Sequence, residues 1–169
     1  MFESKITSPI GELIGHSTKF GICNLEFFDN EDIDLHRKNL EINFKSKIIL
    51  KENEILSKLQ IELAEYFLKQ RKIFSLPFDF FGTDFQKKIW TELLNIPFGK
   101  TISYLDQAKR YGDIKAIRAV ANANGKNKIG ILIPCHRVIG SNGSLTGYAG
   151  GLHRKKWLLD FESEEKKLF

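Results

Sequence analysis

The sequence predicts an α+β chain in two parts: a small N-terminal α+β domain with its linker over residues 1–79, and a mostly helical domain with a helix-turn-helix over residues 80–169. Three observations lead there. Short β-rich segments broken by turn residues fill the first 28 positions. Apolar spacing changes to the helical period from Glu52 onward. Charge divides unevenly, with 11 Lys+Arg against 14 Asp+Glu in residues 1–84 but 15 against 7 in residues 85–169.

Along the first part, Phe2–Thr7 and the run from Glu12 to Phe28 have strand character. Ser8-Pro9 and Gly11 mark a turn, and Gly15 and Gly21 mark further breaks or bulges. Residues 31–47 are polar and support no assignment. From Glu52 to about Lys69, Leu56, Leu59, Leu63 and Phe67 recur at helical spacing. Residues 73–82, rich in Phe, form a packed linker with the boundary near residue 80, since a flexible tether would lack aromatic residues. In the second part, Thr83 with Gln86 opens a helix as a capping box, and Ile96-Pro97-Phe98-Gly99 closes it. A second box, Ser103 with Asp106, opens a short helix ending by Gly112. Asp113 caps a third, with Ile114, Ile117 and Val120 or Ala121 on one stripe. Two short helices about a Gly-containing turn make the helix-turn-helix arrangement. The third helix is read as thin on its outer side through Ala116, Ala119, Ala121 and Ala123, with Lys115, Arg118, Lys126 and Lys128 as phosphate contacts.

Composition narrows the function. The 14 Phe and abundant Ile and Leu exclude disorder as a global description, and two distant cysteines, Cys23 and Cys135, exclude a disulfide scaffold. No apolar run approaches a membrane span of about 20 residues, and the first residues lack the basic and apolar regions of a secretion signal. A cytoplasmic location follows as the expectation, nucleoid-associated, or nuclear in a eukaryote. Residues 85–158 hold 13 basic and 3 acidic side chains, a surface that attracts polyanions.

The chemistry centres on Cys135-His136-Arg137. The apolar run Ile129–Ile133 reads as a buried strand, ended by a turn at Pro134. A Cys beside a base and among cations has its thiol pKa lowered, and the thiolate is the nucleophile; the alternative is a half-buried Cys with an incidental His. One Cys-His pair with no further CxxC or HxxxH falls short of a zinc site, and no metal or cofactor is expected.

At this point Ile133-Pro134-Cys135-His136-Arg137-Val138 resembles the active-site signature of the O6-alkylguanine-DNA alkyltransferases, the methylated-DNA–protein-cysteine methyltransferases. The similarity runs from Gly82-Thr83-Asp84-Phe85-Gln86 through Ile96–Thr101, Ser103-Tyr104, Arg118-Ala119-Val120, Asn127 and Gly147–Gly151 to Trp157–Glu162, essentially all of residues 80–162. The resemblance implies a ribonuclease-H-like N-terminal domain and a winged-helix-like C-terminal one. It implies binding of double-stranded alkylated DNA through the minor groove as a monomer, with cooperative loading along DNA left open, and flipping of the damaged base. Cys135 would accept the alkyl group once, irreversibly, from O6-alkylguanine, with O4-alkylthymine as a second lesion. His136 would deprotonate Cys135 through a water and Glu162 would orient that His. Asn127 would brace the turn, and Tyr104 would donate to guanine N3. Arg118 would fill the vacated stack, joined on DNA by Lys115, Ala119, Lys126, Ser103 and Arg137. Val138, Tyr148, Ala149 and Gly150 would line the base pocket. Ala149 stands where a Ser is common, and Gly130 stands where some members carry a Pro wall.

Two other readings compete. A DNA-binding regulator or lesion-binding module would use the same basic helices without alkyl transfer. A Cys-His hydrolase would need an oxyanion hole and leaves Arg118 and the basic domain without a role.

Overall fold

The computed structural model describes residues 1–163 and divides into two compact units, Met1–Gly82 and a second from Thr83 onward.

In the first unit β1 (Phe2–Ile6), β2 (Leu13–Ser17) and β3 (Ile22–Phe27) form an antiparallel meander. Ser8 closes the first turn by donating its hydroxyl to the Gly11 carbonyl at 2.6 Å. Gly15, expected as a break, lies inside β2. A Cβ there would sit 3.0 Å from a Leu59 methyl, so the missing side chain admits the helix packed on the sheet. The bulge falls one residue later, between His16 and Ser17. Main chain covers both sheet edges: Phe2 pairs with Ile49 and Ile22 with Phe78, so the Phe-rich segment joins this sheet rather than acting as a tether.

Residues 31–47 contain a helix, α1 (Ile33–Phe44), in which Leu40 is the buried residue and Ile42 is 70% exposed; so weak a stripe leaves little periodicity to read. α2 (Glu54–Phe67) is capped by the Asn53 side chain, which accepts from Leu56 N. It buries Leu56, Leu59 and Leu63, with Tyr66 inside and Phe67 only half-buried. Cys23 is buried beside Met1 and Leu40.

A polar network ties α1 to the sheet. Buried Glu3 accepts from Arg37 Nε at 2.8 Å, Arg37 Nη2 at 2.6 Å and His16 Nε2 at 2.8 Å, and Asn24 Nδ2 meets His16 Nδ1 at 3.2 Å. Burial opposes ionisation, but the bonds from His16 and Arg37 outweigh it and hold the Glu3 carboxyl down at about 2. A native pKa below the ordinary 4.5 stabilises fully above pH 4.5 and less as pH falls toward 2. Glu3→Gln is therefore expected to cost about 3 kcal/mol at pH 7, with the gap between the two thermal melts narrowing below pH 4.5. A gap independent of pH would remove the network from the stability of this unit.

The second unit opens with α3 (Asp84–Leu93). Both bonds of the Thr83/Gln86 capping box are present, and Ile89, Trp90 and Leu93 are buried. β4 (Ile102–Ser103) pairs in parallel with β5 (Val138–Ile139). Ser103 then caps α4 (Tyr104–Tyr111) in a full box with Asp106, and Gly112 ends it at φ 100°. Asp113 caps one 3₁₀ turn, Ile114–Ala116, that runs into α5 (Ile117–Gly125). These helices close on Ile89, Ala108, Val120 and Ala123. Ala123 is thus a packing residue, with Ala116 against the same cluster, so the outer face is thinned mainly by exposed Ala119; Ile114 is 52% exposed and lies off the stripe.

Residues 129–133 are not a strand. They form a buried turn in which Ile133 N donates to the Ile129 carbonyl at 3.0 Å and Ile131 takes φ 68°. The apolar run reports burial, which a side-chain-closed turn satisfies as well as a sheet. Last comes α6 (Leu152–Glu162); the acidic Glu164 and Glu165 lie outside the described residues.

Candidate active site

The strained turn is closed by one side chain. Asn127 Oδ1 accepts from Ile129 N at 3.0 Å, while its Nδ2 donates to the Ile133 carbonyl at 2.8 Å and to Cys135 Sγ at 3.2 Å. A β-branched residue at positive φ costs about 1–3 kcal/mol, and the Asn127 bonds span the segment that bears it. Pro134 follows, and Cys135–Arg137 make a single 3₁₀ turn.

Both ring nitrogens of His136 are buried. Nε2 lies 2.9 Å from Glu162 Oε1, and Nδ1 is a buried side-chain atom with no hydrogen-bond partner among the described residues. Burial pushes the His136 pKa down, against the hydrogen bond and charge of Glu162, which push it up. The Glu162 carboxyl sits well below the ordinary carboxylate range: burial raises it, but His136 and Arg137 more than compensate.

The Cys135 thiol departs from the expectation of a lowered pKa. Burial raises it, with the Asn127 bond and the Lys155 charge pulling the other way. Neighbouring cations do not by themselves make the thiolate here; a base must take the proton. Burial and then the charge of Asp79 push the other thiol, Cys23, up to about 12.

Lys155 went unremarked in the sequence, yet it is fully buried. Its ammonium donates to the Val138 carbonyl at 2.7 Å and the Thr146 carbonyl at 2.9 Å, and lies 3.5 Å from Tyr104 Oη. Tyr104, first residue of α4, donates to the same Thr146 carbonyl at 3.0 Å. The two side chains hold the 138–146 loop beside Cys135. Lys155→Met takes the ammonium from the Val138 carbonyl and leaves the Thr146 carbonyl with the Tyr104 hydroxyl alone, and a buried carbonyl that loses its donor costs about 1–3 kcal/mol. We expect a loss of about 2 kcal/mol in chemical denaturation; unchanged stability would contradict the two bonds.

Other sequence-predicted residues fall in different places. Lys115, Arg118, Ala119 and Lys126 are exposed on and around α5. Ser103 is half-buried, its hydroxyl engaged with Asp106. Val138 is buried, Tyr148 presents its ring edge-on to His136 with centroids 6.5 Å apart, Ala149 is exposed and Gly150 half-buried. Arg137 needs correction as a DNA contact: it is 5% exposed, with its guanidinium on Glu162 and the Ile96 carbonyl. Adjacency in a basic tripeptide says nothing about which side chain turns inward. Among the described residues no cluster of His, Cys, Asp or Glu is arranged to hold a metal, and no helix is long and apolar enough to cross a membrane.

A buried Cys, a His-carboxylate pair and an exposed cationic helix can be set beside known proteins. The family described as 6-O-methylguanine DNA methyltransferase, DNA binding domain, matches residues 84–164, and its ribonuclease-like domain matches residues 1–80. The constitutive methylated-DNA–protein-cysteine methyltransferase of Bacillus subtilis is 42% identical over 92% of this chain and 91% of its own. The Methanosarcina acetivorans protein of that name is 37% identical over 96% and 98%. The crystal structure of the Mycobacterium tuberculosis O6-methylguanine methyltransferase superposes with a TM-score of 0.81 at 36% identity, covering 99% of this chain and 96% of that one. The Mycobacterium tuberculosis OGT solved in complex with DNA gives the same score and identity over 96% and 92%. With both of its units matched and identity of this extent along nearly its whole length, the chain belongs to the methylated-DNA–protein-cysteine methyltransferase family.

Proposed function

We propose that this protein repairs alkylated DNA by direct reversal, moving the alkyl group of O6-alkylguanine onto its own Cys135. One observation carries the assignment to this cysteine: Sγ is fixed by Asn127 at the end of a closed turn, in the residue next to a buried His136 that is itself bound to Glu162. DNA is the partner. The cations exposed around α5 supply phosphate contacts, and Arg118, exposed on that helix, fills the stack vacated when the damaged base turns out through the minor groove.

The chemistry balances without a cofactor. His136 takes the thiol proton through a water, and the sulfur pair forms the C–S bond as the bond from carbon to O6 breaks. The electron pair passes into the purine, which Tyr104 protonates at N3, its hydroxyl turning from the Thr146 carbonyl to do so, and the purine leaves as neutral guanine. Val138, Tyr148, Ala149 and Gly150 line the base pocket. O4-alkylthymine presents the same alkyl–oxygen bond and would enter as a second lesion. The thioether has no leaving group, so each molecule acts once.

The test is intact mass followed by peptide mapping after mixing the protein with a duplex carrying one O6-methylguanine. One methyl replacing the thiol hydrogen, on the peptide holding Cys135 and saturating at one per protein, is the expected result. An unmodified protein that still binds the duplex would overturn the reading in favour of a lesion-binding module.

A further inference from the structure

The Arg137 side chain is buried against the carboxylate that orients His136, and the arrangement leaves Glu162 no free position. Oε1 accepts from Arg137 Nη2 at 2.8 Å and faces His136 Nε2 at 2.9 Å. Oε2 accepts from Arg137 Nε at 2.8 Å and from Gly99 N at 3.2 Å. Gly99 sits at φ 75°, and a Cβ there would meet the Glu162 main-chain carbonyl at 2.7 Å, so only glycine brings that N–H so close. Arg137 is itself held: Nη1 donates to the Ile96 carbonyl at 2.6 Å, and the Phe98 ring lies 5.9 Å from the guanidinium carbon.

A carboxylate offers about four acceptor positions, and here four donors face them. We propose that Arg137 is a positioning residue of the proton path: by engaging both oxygens of Glu162 it fixes the ring proton of His136 on Nε2 and reserves Nδ1 for the proton of Cys135. The proposal rests on Cys135 being the nucleophile. The S–H bond breaks, the Nδ1–H bond forms, and the pair stays on sulfur. The proton stops at His136, because the guanidinium on both oxygens holds Glu162 as a carboxylate, well below the ordinary range. Nδ1, without a partner among the described residues, is the atom this scheme requires.

The charged and titratable groups facing His136 are Glu162 and Lys155 from α6, Arg137 and Cys135 beside it in the chain, and the Tyr148 edge. Glu162 favours the imidazolium; Arg137 and Lys155 oppose it. Without the Arg137 charge His136 holds its proton to higher pH, so the acid limb of the pH–rate profile moves up.

Two measurements test this. In the ¹⁵N-labelled wild-type protein, NMR of the His136 ring at neutral pH is expected to show the neutral Nε2–H tautomer. An Nδ1–H tautomer, or a protonated Glu162 carboxyl, would overturn the proposal, and this readout needs no alkyl donor, so it fails separately from the assignment of Cys135. In single-turnover transfer from an O6-methylguanine duplex, Arg137→Met is expected to raise the acid limb by at least about half a pH unit. Arg137→Lys, which keeps the charge without the fork, is expected to slow transfer about tenfold with a smaller displacement. Variants that melt earlier yet superimpose on the wild-type pH profile would reduce Arg137 to a structural ion pair. Should neither variant fold, the wild-type tautomer decides.

Discussion

Cys135→Ser is expected to abolish alkyl transfer while leaving duplex binding within about twofold of wild type. The substitution changes one atom, at a site where Asn127 Nδ2 already points at the sulfur, so the hydroxyl inherits a donor and the turn keeps its closure. Its pKa lies far above that of a thiol, and His136, whose own pKa burial lowers, is too weak a base to ionise it. Loss of a nucleophile of this kind costs on the order of 10⁴-fold or more. In the proposed reading binding rests on Lys115, Arg118 and Lys126, exposed on and around α5. The measurement pairs mass mapping with a salt-dependent binding isotherm. Methylation persisting on Cys23 would reassign the acceptor, and it is not expected, because that thiol is pushed up to about 12. Simultaneous loss of transfer and binding would show that Cys135 holds the fold rather than the chemistry.

What the sequence made legible in this site depended on how locally each feature is encoded. The Thr83/Gln86 and Ser103/Asp106 boxes are four-residue devices, and both form as written. Cys135 and His136 could be marked as candidates because they stand inside the Ile133–Val138 signature; the two letters alone fit a half-buried Cys with an incidental His as well. Residues whose role depends on which way a helix or turn faces were not so legible. Lys155 sits in the run Arg154-Lys155-Lys156, where charge alone suggests a solvated face. Counting back from Glu162 at helical spacing gives Leu158 and Lys155, both buried, and that stripe is the signal that would have found it. Arg137 has no such stripe, since its inward turn is set by a 3₁₀ geometry that composition does not report. Residues 129–133 show the complementary error: Ile129, Ile131, Leu132 and Ile133 are all buried, but Asn127 closes them as a turn, and hydrophobicity carries no information about which backbone partner is used.

The sharpest joint test of stability and chemistry is Glu162→Gln. The substitution keeps shape and removes the charge on which four donors converge: His136 Nε2, two nitrogens of Arg137 and Gly99 N. The amide offers one acceptor oxygen and brings its own two donors against the guanidinium, so Arg137 is left buried and under-compensated. Breaking a buried pair from one side costs about 3–5 kcal/mol, which for a chain of this size lowers the melting temperature by about 10 °C. With the carboxylate gone, Arg137 and Lys155 both oppose a proton on His136 and nothing offsets them. The thiol then has a poorer base, and transfer is expected to slow by about 10²–10³-fold. The pH dependence gives the sign. Glu162 is depressed in the folded protein below its ordinary 4.5, so its stabilisation is complete above that pH and declines as pH falls further toward the native value. The difference in melting temperature between wild type and Glu162→Gln should accordingly be largest near neutrality and shrink in acid. A constant difference across pH would mean that the lost stability came from packing and not from the carboxylate charge. An unchanged transfer rate would separate Glu162 from the proton path and leave His136 to act without it.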